Sequence, residues 1–187
     1  MLTRGRAAQA RASPDTVLSH LPRCFVHAVF LRLPVDARLR CAEVSRAWRA
    51  LLADTTLWSS LELSAFSGIT RFSPPLFRAA VTKAGGKLRT LDVSGVCIYG
   101  HIDERVDKSS LSFGVLRAAV ASNSSTLVEL RTQSRLHWFL VSDVRLLVAA
   151  TPLLQRFELD LCFDGQPARG ASERATVWAT PHAHSDG

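Results

Sequence analysis

The stretch LPRCFVHAVFLRLPVDARLRCAEVSRAWRALLADTTLWSSLEL, residues 21–63, decides how the amino-terminal part of the chain folds. Pro22 stands where the first turn of a helix tolerates proline, and Pro34 forces the residue before it out of the helical region. Between the two prolines, apolar residues follow the i, i+3, i+4, i+7 spacing at Val26, Val29, Phe30 and Leu33. The pattern predicts one short helix with one apolar face.

Two more short helices are predicted before the second tryptophan of this stretch. Asp36 suits the N-cap of the second helix, which turns Leu39 and Ala42 inward. The third helix places apolar residues at i, i+4, i+7 and i+8, namely Val44, Trp48, Leu51 and Leu52. Helices of about eight to ten residues are not stable alone, so the tryptophans are expected to close a small core. Much of the apolar surface of the first helix faces away from that core, which usually marks a partner site.

Residues 19–63 resemble an F-box in the order and spacing of these features. The resemblance rests on Leu21-Pro22, the apolar pair Val29-Phe30, Leu33-Pro34, the run from Val44 to Arg49, and Leu57-Trp58. It implies a three-helix module that docks on the Skp-type adaptor of an SCF (Skp, cullin, F-box) ubiquitin ligase. The adaptor-binding residues it implies are Leu21, Pro22, Val26, Val29, Phe30, Leu33, Pro34, Leu39 and Val44. The F-box core behind them is expected to contain Trp48, Leu51, Leu57 and Trp58.

A different pattern follows Trp58. Similar apolar-x-x-apolar-x segments occur as WSSLELS from residue 58, LRTLDVS from 88, LVELRTQ from 127 and LQRFELD from 154. Helix-like runs precede the last three and are closed by Gly, Asn-Ser or Thr-Pro. A helix and a short strand that recur in this way indicate a solenoid, and residues 64–163 resemble leucine-rich repeats. The predicted fold class is therefore α/β, a three-helix F-box followed by a short leucine-rich-repeat-like α/β solenoid.

Alternation along the strands predicts which charged side chains face outward as a candidate substrate face. They are Glu62, Asp92, Glu129, Arg131, Arg156, Glu158 and Asp160. Carboxylates exceed guanidiniums in this set, although the chain has a formal net charge of +7. The face therefore carries a net negative charge on a chain of net positive charge, which favours a basic or hydroxyl-rich ligand.

The two ends of the chain lack these patterns. Residues 1–18 are predicted to be a disordered leader, and residues 164–187 a disordered tail, because both are polar and rich in small residues. A repeat array this short leaves its last strand edge open. Either the tail after Phe163 covers that edge, or the chain is a fragment of a longer array.

Composition and motifs argue against other functional classes. The basic residues are spread along the chain, whereas nucleic-acid-binding proteins concentrate them on one face or arm. No cysteine spacing suits zinc, and no apolar run approaches the ~20 residues that span a bilayer. Cys97, His101 and Asp103 are close in sequence, but catalytic partners generally meet through the fold. We therefore predict no enzyme, cofactor, metal site, nucleic-acid partner or membrane association.

The predicted function is substrate recognition within an SCF-type ubiquitin ligase, in the cytoplasm or nucleus. By the resemblance, the F-box binds a Skp-type adaptor and through it a cullin, while the repeats hold an unknown protein substrate for ubiquitination and proteasomal degradation. The chain contributes proximity and needs no catalytic residue. Two alternatives stay open. One is an F-box remnant that binds the adaptor without a substrate, and the other is a helical DNA-binding module that contacts phosphates through Arg38, Arg40, Arg46 and Arg49.

Overall fold

A computed structural model of the chain describes residues 20–63, 72–99, 110–135, 141–162 and 173–178. Its amino-terminal part is helical, with α1 at Arg23–Arg32, α2 at Val35–Val44, α3 at Arg46–Leu51 and a 3-10 turn at Thr55–Trp58. Helices and strands then alternate as β1 Ser60–Glu62, α4 Pro74–Ala84, β2 Thr90–Tyr99, β3 Leu111–Ser112, α5 Phe113–Ser122, β4 Glu129–Arg135, α6 Val141–Ala149, β5 Arg156–Cys162 and β6 Glu173–Trp178. The described chain is a mixed helix and strand fold with a helical amino-terminal region, as predicted.

The boundaries of the first three helices follow from their caps. Leu33 is extended immediately before Pro34, so α1 ends as the proline rule predicts. The prediction that Asp36 caps α2 was wrong, because Pro34 takes that position and Asp36 lies inside the first turn. There Asp36 is buried and forms an ion pair with Arg40 at 3.1 Å. α2 runs on to Val44, so Val44 does not begin the inward face of the third helix and is 55% exposed.

Among the described strands, β1, β2, β4 and β5 lie side by side in that order and run parallel, and β6 follows β5 at the end of this path. β3 is a short parallel partner of β2 outside this path. β6 pairs antiparallel with β5, from Arg156 opposite Trp178 to Leu161 opposite Glu173. The prediction of a disordered tail was therefore wrong for residues 173–178, because this part of the tail covers the edge that β5 would otherwise expose.

Serine and glycine residues set the ends of the helices that lie between strands. The Ser73 and Ser112 hydroxyls accept hydrogen bonds from the N–H groups of Leu76 and Val115, both at 3.3 Å, and so cap α4 and α5. Gly85 ends α4 in the left-handed region at φ 57°, where a side chain would be strained. The apolar segments between these stops are consequently held as short helix–strand units.

One continuous hydrophobic core joins the amino-terminal helices to the sheet. It begins with Val26 and Phe30 of α1 and passes through Trp58. From there it continues into the inward positions of the strands at Leu61, Leu91, Leu130 and Phe157. Because the same buried cluster includes both regions, the helical module is fixed directly on the first strands of the sheet.

Asn123 organises the turn between α5 and β4. Its side chain is fully buried; Oδ1 accepts from Leu88 N–H at 3.0 Å, and Nδ2 donates to the Ala119 carbonyl at 2.8 Å. Thr126 Oγ1 lies 2.8 Å from the carbonyl oxygen of Leu88 and supports the same crossing. These contacts tie the end of one helix to the segment that leads into the neighbouring strand.

Replacing Asn123 with Ala is expected to lower the free energy of unfolding by about 1–3 kcal/mol, because the buried Leu88 N–H loses its acceptor. Urea denaturation followed by circular dichroism measures the change. The matched control is Ser124→Ala in the same turn, which should lie within about 0.5 kcal/mol of the parent. Equal free energies of unfolding for Asn123→Ala and Ser124→Ala would show that the hydrogen bonds of the Asn123 side chain do not stabilise the turn.

Candidate partner-binding surfaces

The outer face of α1 exposes a stripe of large apolar side chains. Leu21, Phe25 and Val29 follow one another at intervals of four residues and are 45%, 64% and 57% exposed. Leu31 is also exposed, but it lies two residues from Val29 and therefore on another side of α1. We call Leu21, Phe25 and Val29 the α1 stripe. Isolated exposed apolar residues are ordinary, whereas a contiguous row on one helix face is typical of a surface that a partner covers.

The opposite face of α1 belongs to the core. Val26 and Phe30 are 4% and 3% exposed, and the Phe30 ring meets the Trp48 ring edge-on with 5.5 Å between centroids. Trp58 is fully buried, and its indole N–H donates to the Leu52 carbonyl at 2.9 Å. Aromatic packing of this kind stabilises the module from behind the α1 stripe.

The structure divides the adaptor-binding residues predicted from the sequence into three groups. Leu21, Pro22, Val29 and Val44 are exposed. Leu33, Pro34 and Leu39 are half-buried. Val26 and Phe30 are buried on the face of α1 that meets the core, and their part in adaptor binding stays a prediction. The predicted core residues do lie inward, with Leu57 and Trp58 buried and Trp48 and Leu51 half-buried against them.

Sequence reasoning missed Phe25 and Leu31. It considered one apolar pattern on α1, formed by Val26, Val29, Phe30 and Leu33. It assigned this one set of residues to the core and to the partner surface at the same time. The spacing of Leu21, Phe25 and Val29 at i, i+4 and i+8 was a second apolar pattern on the same helix. Two apolar faces on one short helix would have indicated that one is buried internally and the other is left for a partner.

A groove of about 510 Å³ lies between α1 and α3, next to the α1 stripe. Its apolar lining includes Leu21, Val26, Phe30, Ala47 and Leu51. The buried pair Val26 and Phe30 therefore reaches the surface only inside this groove. Its dimensions suit an apolar side chain of a partner that lies across both helices.

A polar cluster joins α1 to the 3-10 turn at one end of the groove. His27 Nε2 lies 2.9 Å from Thr56 Oγ1 and 3.5 Å from Asp54 Oδ2. Asp54 Oδ1 accepts hydrogen bonds from the Thr56 hydroxyl and N–H, at 2.7 and 3.0 Å. These Thr56 hydrogen bonds, with a smaller contribution from His27, hold the pKa of the Asp54 carboxyl below its ordinary value of 3.8.

Replacing Asp54 with Ala is expected to lower the free energy of unfolding by about 0.5–1 kcal/mol at neutral pH, because the turn loses its cap. The folded-state pKa is lowered, so the ionised carboxylate stabilises the protein above pH 3.8 and this contribution disappears as the pH falls through the folded pKa. Urea denaturation at pH 7 and again near pH 3 should show that the difference in the free energy of unfolding between parent and variant is smaller in acid. A difference that does not change with pH would contradict a stabilising role for the Asp54 carboxylate.

The charged residues predicted as a substrate face occupy two adjacent rows across the parallel strands. One row aligns Glu62, Asp92, Arg131 and Glu158. The other aligns Ser60, Thr90, Glu129 and Arg156. The side chain of Asp160 lies outside the described residues, although its backbone belongs to β5. We call these two rows the charged sheet face.

Arginine and carboxylate groups on the charged sheet face pair with one another. Arg131 lies 2.8 Å from Glu129, 3.2 Å from Glu158 and 3.8 Å from Asp92, and Arg156 bridges the same Glu129 and Glu158. Burial disfavours the charged form of Arg131, but the hydrogen bond and charge of Glu129 and the other two carboxylates outweigh it and raise its pKa. The two arginines are therefore engaged within the network, and the described part of the face keeps an excess of carboxylates.

The comparison with protein families matches the helical module. An F-box-like family model covers residues 18–64, the same part of the chain that contains α1, α2, α3 and the 3-10 turn. We call this matched segment, residues 18–64, the F-box-like domain. No curated protein matches the chain in a sequence search. The α1 stripe and the adjoining groove are thus features of the F-box-like domain. The charged sheet face begins within it at Ser60 and Glu62 of β1 and continues beyond residue 64 on β2, β4 and β5.

Other candidate sites are weaker within the part of the chain that is described. No cluster of three or more His, Cys, Asp or Glu side chains there could hold a metal ion. Across the same ranges, every helix is too short or too polar to cross a bilayer. His101 and Asp103, which neighbour Cys97 in sequence, lie outside the described residues.

Proposed function

We propose that the chain is a non-catalytic substrate receptor of an SCF-type ubiquitin ligase. The F-box-like domain binds a Skp-type adaptor and, through it, a cullin. The observation that carries this proposal is the α1 stripe, an uncovered apolar row on a domain that matches the F-box-like family. F-box domains typically act as non-catalytic adaptors, which supports a role in proximity and not in chemistry.

The surface proposed for the adaptor combines the α1 stripe with the groove between α1 and α3. Both are apolar: the α1 stripe lies on the outer face of α1, and the groove opens between α1 and α3, where Leu21 belongs to both. The core behind them is held by Phe30, Trp48 and Trp58, so the surface is presented by a rigid support. A rigid apolar surface loses little conformational entropy on binding, which favours affinity.

We further propose that the helix–strand units are a short leucine-rich-repeat-like solenoid whose charged sheet face binds the substrate. The support is the order α4-β2, α5-β4, α6-β5 with parallel strands in register. The excess of carboxylates on this face favours a substrate segment that carries basic or hydroxyl groups. Ubiquitination of that substrate, and its degradation in the cytoplasm or nucleus, follow from this role.

A second candidate is an F-box remnant that binds the adaptor without a substrate. The observation that favours it is the internal pairing of Arg131 and Arg156, which leaves no described guanidinium of the charged sheet face available to a ligand. The DNA-binding alternative is disfavoured, because it required Arg38 on the surface and the structure buries that residue to 4% exposure.

Affinity capture of the tagged chain from its native cells, with and without proteasome inhibition, distinguishes these functions. A receptor should recover the adaptor in both conditions and additional proteins only when degradation is blocked. A remnant should recover the adaptor alone in both. Capture without any Skp-type adaptor would contradict the proposed function in either form.

A further inference from the structure

Arg38 is a buried cation without a carboxylate partner among the described residues. It projects from α2, is 4% exposed, and donates through one terminal nitrogen to the Leu57 carbonyl. Its guanidinium carbon lies 5.3 Å from the centre of the Trp58 ring. Its Nε is buried and has no hydrogen-bond partner in the described structure. The guanidinium is thus positioned by the Leu57 carbonyl and the Trp58 ring, and its Nε–H remains without an acceptor in the part of the chain that is described.

An unpaired donor on a buried guanidinium is energetically unfavourable. Burial removes the water that would solvate the charge, and one neutral carbonyl replaces only part of that solvation. Burial accordingly lowers the pKa of Arg38, and the negative charge of Glu62 opposes this effect without forming an ion pair in the described structure. A ligand that brings an anionic acceptor to Arg38 would satisfy the remaining donor.

A small cavity beside Arg38 has room for such a group. Its volume is about 130 Å³, several times the ~30 Å³ that one water occupies in the liquid. One wall is the segment from Leu31 to Val35 between α1 and α2. The opposite wall contains Ser60 and Glu62 of β1. The cavity therefore lies within the F-box-like domain, between the α1–α2 connection and β1.

β1 presents an edge to this cavity. Among the described strands it is the first in the sheet order, with β2 as its neighbour. Ser59 O accepts from Arg89 and Thr90 N–H at 2.7 and 3.1 Å, and Leu63 N–H donates to Asp92 O at 2.7 Å. Alternate residues of a parallel strand pair with the same neighbour, so the N–H and C=O groups of Ser60 and Glu62 point away from β2. These are the two β1 residues that line the cavity.

We propose that the cavity binds an extended peptide segment that pairs with the edge of β1 and places an acidic side chain on Arg38. Main-chain hydrogen bonds to Ser60 and Glu62 align the peptide, and the Arg38 guanidinium selects its carboxylate. Pairing with both Ser60 and Glu62 would use the peptide main chain on either side of the acidic residue, which assigns the carboxylate to an internal side chain and not to a chain end. Arg32 lines the cavity as well, so two guanidiniums and one carboxylate give it a net positive lining.

The site selects a ligand of opposite charge to the one proposed for the substrate surface. It shares Ser60 and Glu62 with the charged sheet face, at the β1 end of the two rows. The carboxylates of that face favour a basic segment, whereas the guanidiniums of Arg32 and Arg38 favour an acidic one. The α1 stripe contributes no residue to the lining of this cavity. The proposal holds whether or not the F-box-like domain binds an adaptor.

Three labelled hexapeptides test the site by fluorescence anisotropy with the full chain. The first is Val-Thr-Val-Asp-Val-Thr with both ends blocked, the second replaces Asp with Asn, and the third replaces Asp with Ala and has a free carboxyl terminus. The Asp peptide is expected to bind at least about tenfold more tightly than the Asn peptide. In a ¹⁵N spectrum, the Nε–H resonance of Arg38 should shift as the Asp peptide is added.

Variants of the chain test whether peptide binding depends on Arg38 and on the edge of β1. Arg38→Met should abolish the preference for Asp over Asn while remaining folded, because replacing an unpaired buried charge with an apolar side chain is often neutral. Glu62→Pro should weaken the uncharged Asn peptide, since it removes an N–H that points to the edge, and the preceding Leu61 is already in strand β1. The matched control, Arg46→Met, changes an exposed arginine on α3 and should leave both affinities unchanged.

Several results would overturn the proposal. They are equal affinity for the Asp and Asn peptides, absence of binding by all three at millimolar concentration, and an Asp preference that survives Arg38→Met. Tighter binding of the peptide with the free carboxyl terminus would overturn the assignment to an internal side chain. Adaptor binding by Arg38→Met is measured in parallel. A variant that loses the peptide preference but still binds the adaptor distinguishes the Arg38 site from the proposed function.

Discussion

Replacing Trp58 with Ala is expected to lower the free energy of unfolding by about 3–5 kcal/mol. The side chain is fully buried where the amino-terminal helices meet the sheet, and its removal opens a cavity in the shared core. The change also removes the donor to the Leu52 carbonyl and the ring beneath the Arg38 guanidinium. Since single domains are stable by about 5–15 kcal/mol, this one change should remove much of the total.

Chemical denaturation, followed by circular dichroism, measures the effect of Trp58→Ala. Trp48 provides a matched comparison, because it is half-buried and its indole N–H has no hydrogen-bond partner in the described structure. Trp58→Phe loses a satisfied hydrogen bond, whereas Trp48→Phe removes an unsatisfied donor, so the first should be the more destabilising. A loss below about 1 kcal/mol for Trp58→Ala would show that the helical module and the sheet do not share a core.

The second large effect is expected on adaptor binding. Replacing both Phe25 and Val29 with Asp should weaken binding to a Skp-type adaptor by at least about a hundredfold, since each is an anchor worth roughly 2 kcal/mol. Both side chains are more than half exposed, so the variant should fold normally. Titration calorimetry with the purified adaptor gives the affinity, and circular dichroism confirms the fold.

Leu146→Asp with Leu153→Asp is the matched control for the stripe variant. These two leucines are as exposed as the α1 stripe but lie on α6 and the turn after it, so adaptor affinity should not change. Phe30 is unsuitable for this test because it is buried, and its removal would report on the core. Unchanged affinity of the Phe25 and Val29 variant would exclude the α1 stripe as the adaptor surface.

Local rules in the sequence predicted much of the framework. Pro34 ends α1 because of a steric clash with the preceding residue, and the turn residues Gly85 and Asn123 end their helices by equally local effects. The alternation that set Glu62, Asp92, Arg131 and Glu158 on one side of the strands depends only on strand geometry, and the structure aligns them in one row. These predictions did not depend on tertiary contacts.

The remaining features depend on tertiary contacts. The DNA-binding alternative placed Arg38 on the surface, but the Leu57 carbonyl accepts a hydrogen bond from its guanidinium in the interior, beside the ring of Trp58. Which face of α1 is buried depends on Trp48, which packs against Phe30 and leaves Phe25 outside. The sequence left open that the tail covers the last strand edge, but it did not identify β6 as the segment that does so, because its pairing with β5 is a tertiary contact.

Hydrogen exchange of the full chain, with and without a purified Skp-type adaptor, tests whether the α1 stripe is the adaptor surface. Adaptor binding is predicted to slow exchange in peptides that cover Leu21 to Leu33 and the facing part of α3, while peptides from β5 keep their rates. Exchange rates that stay the same throughout the F-box-like domain at saturating adaptor, or protection confined to the sheet, would contradict the proposed adaptor surface.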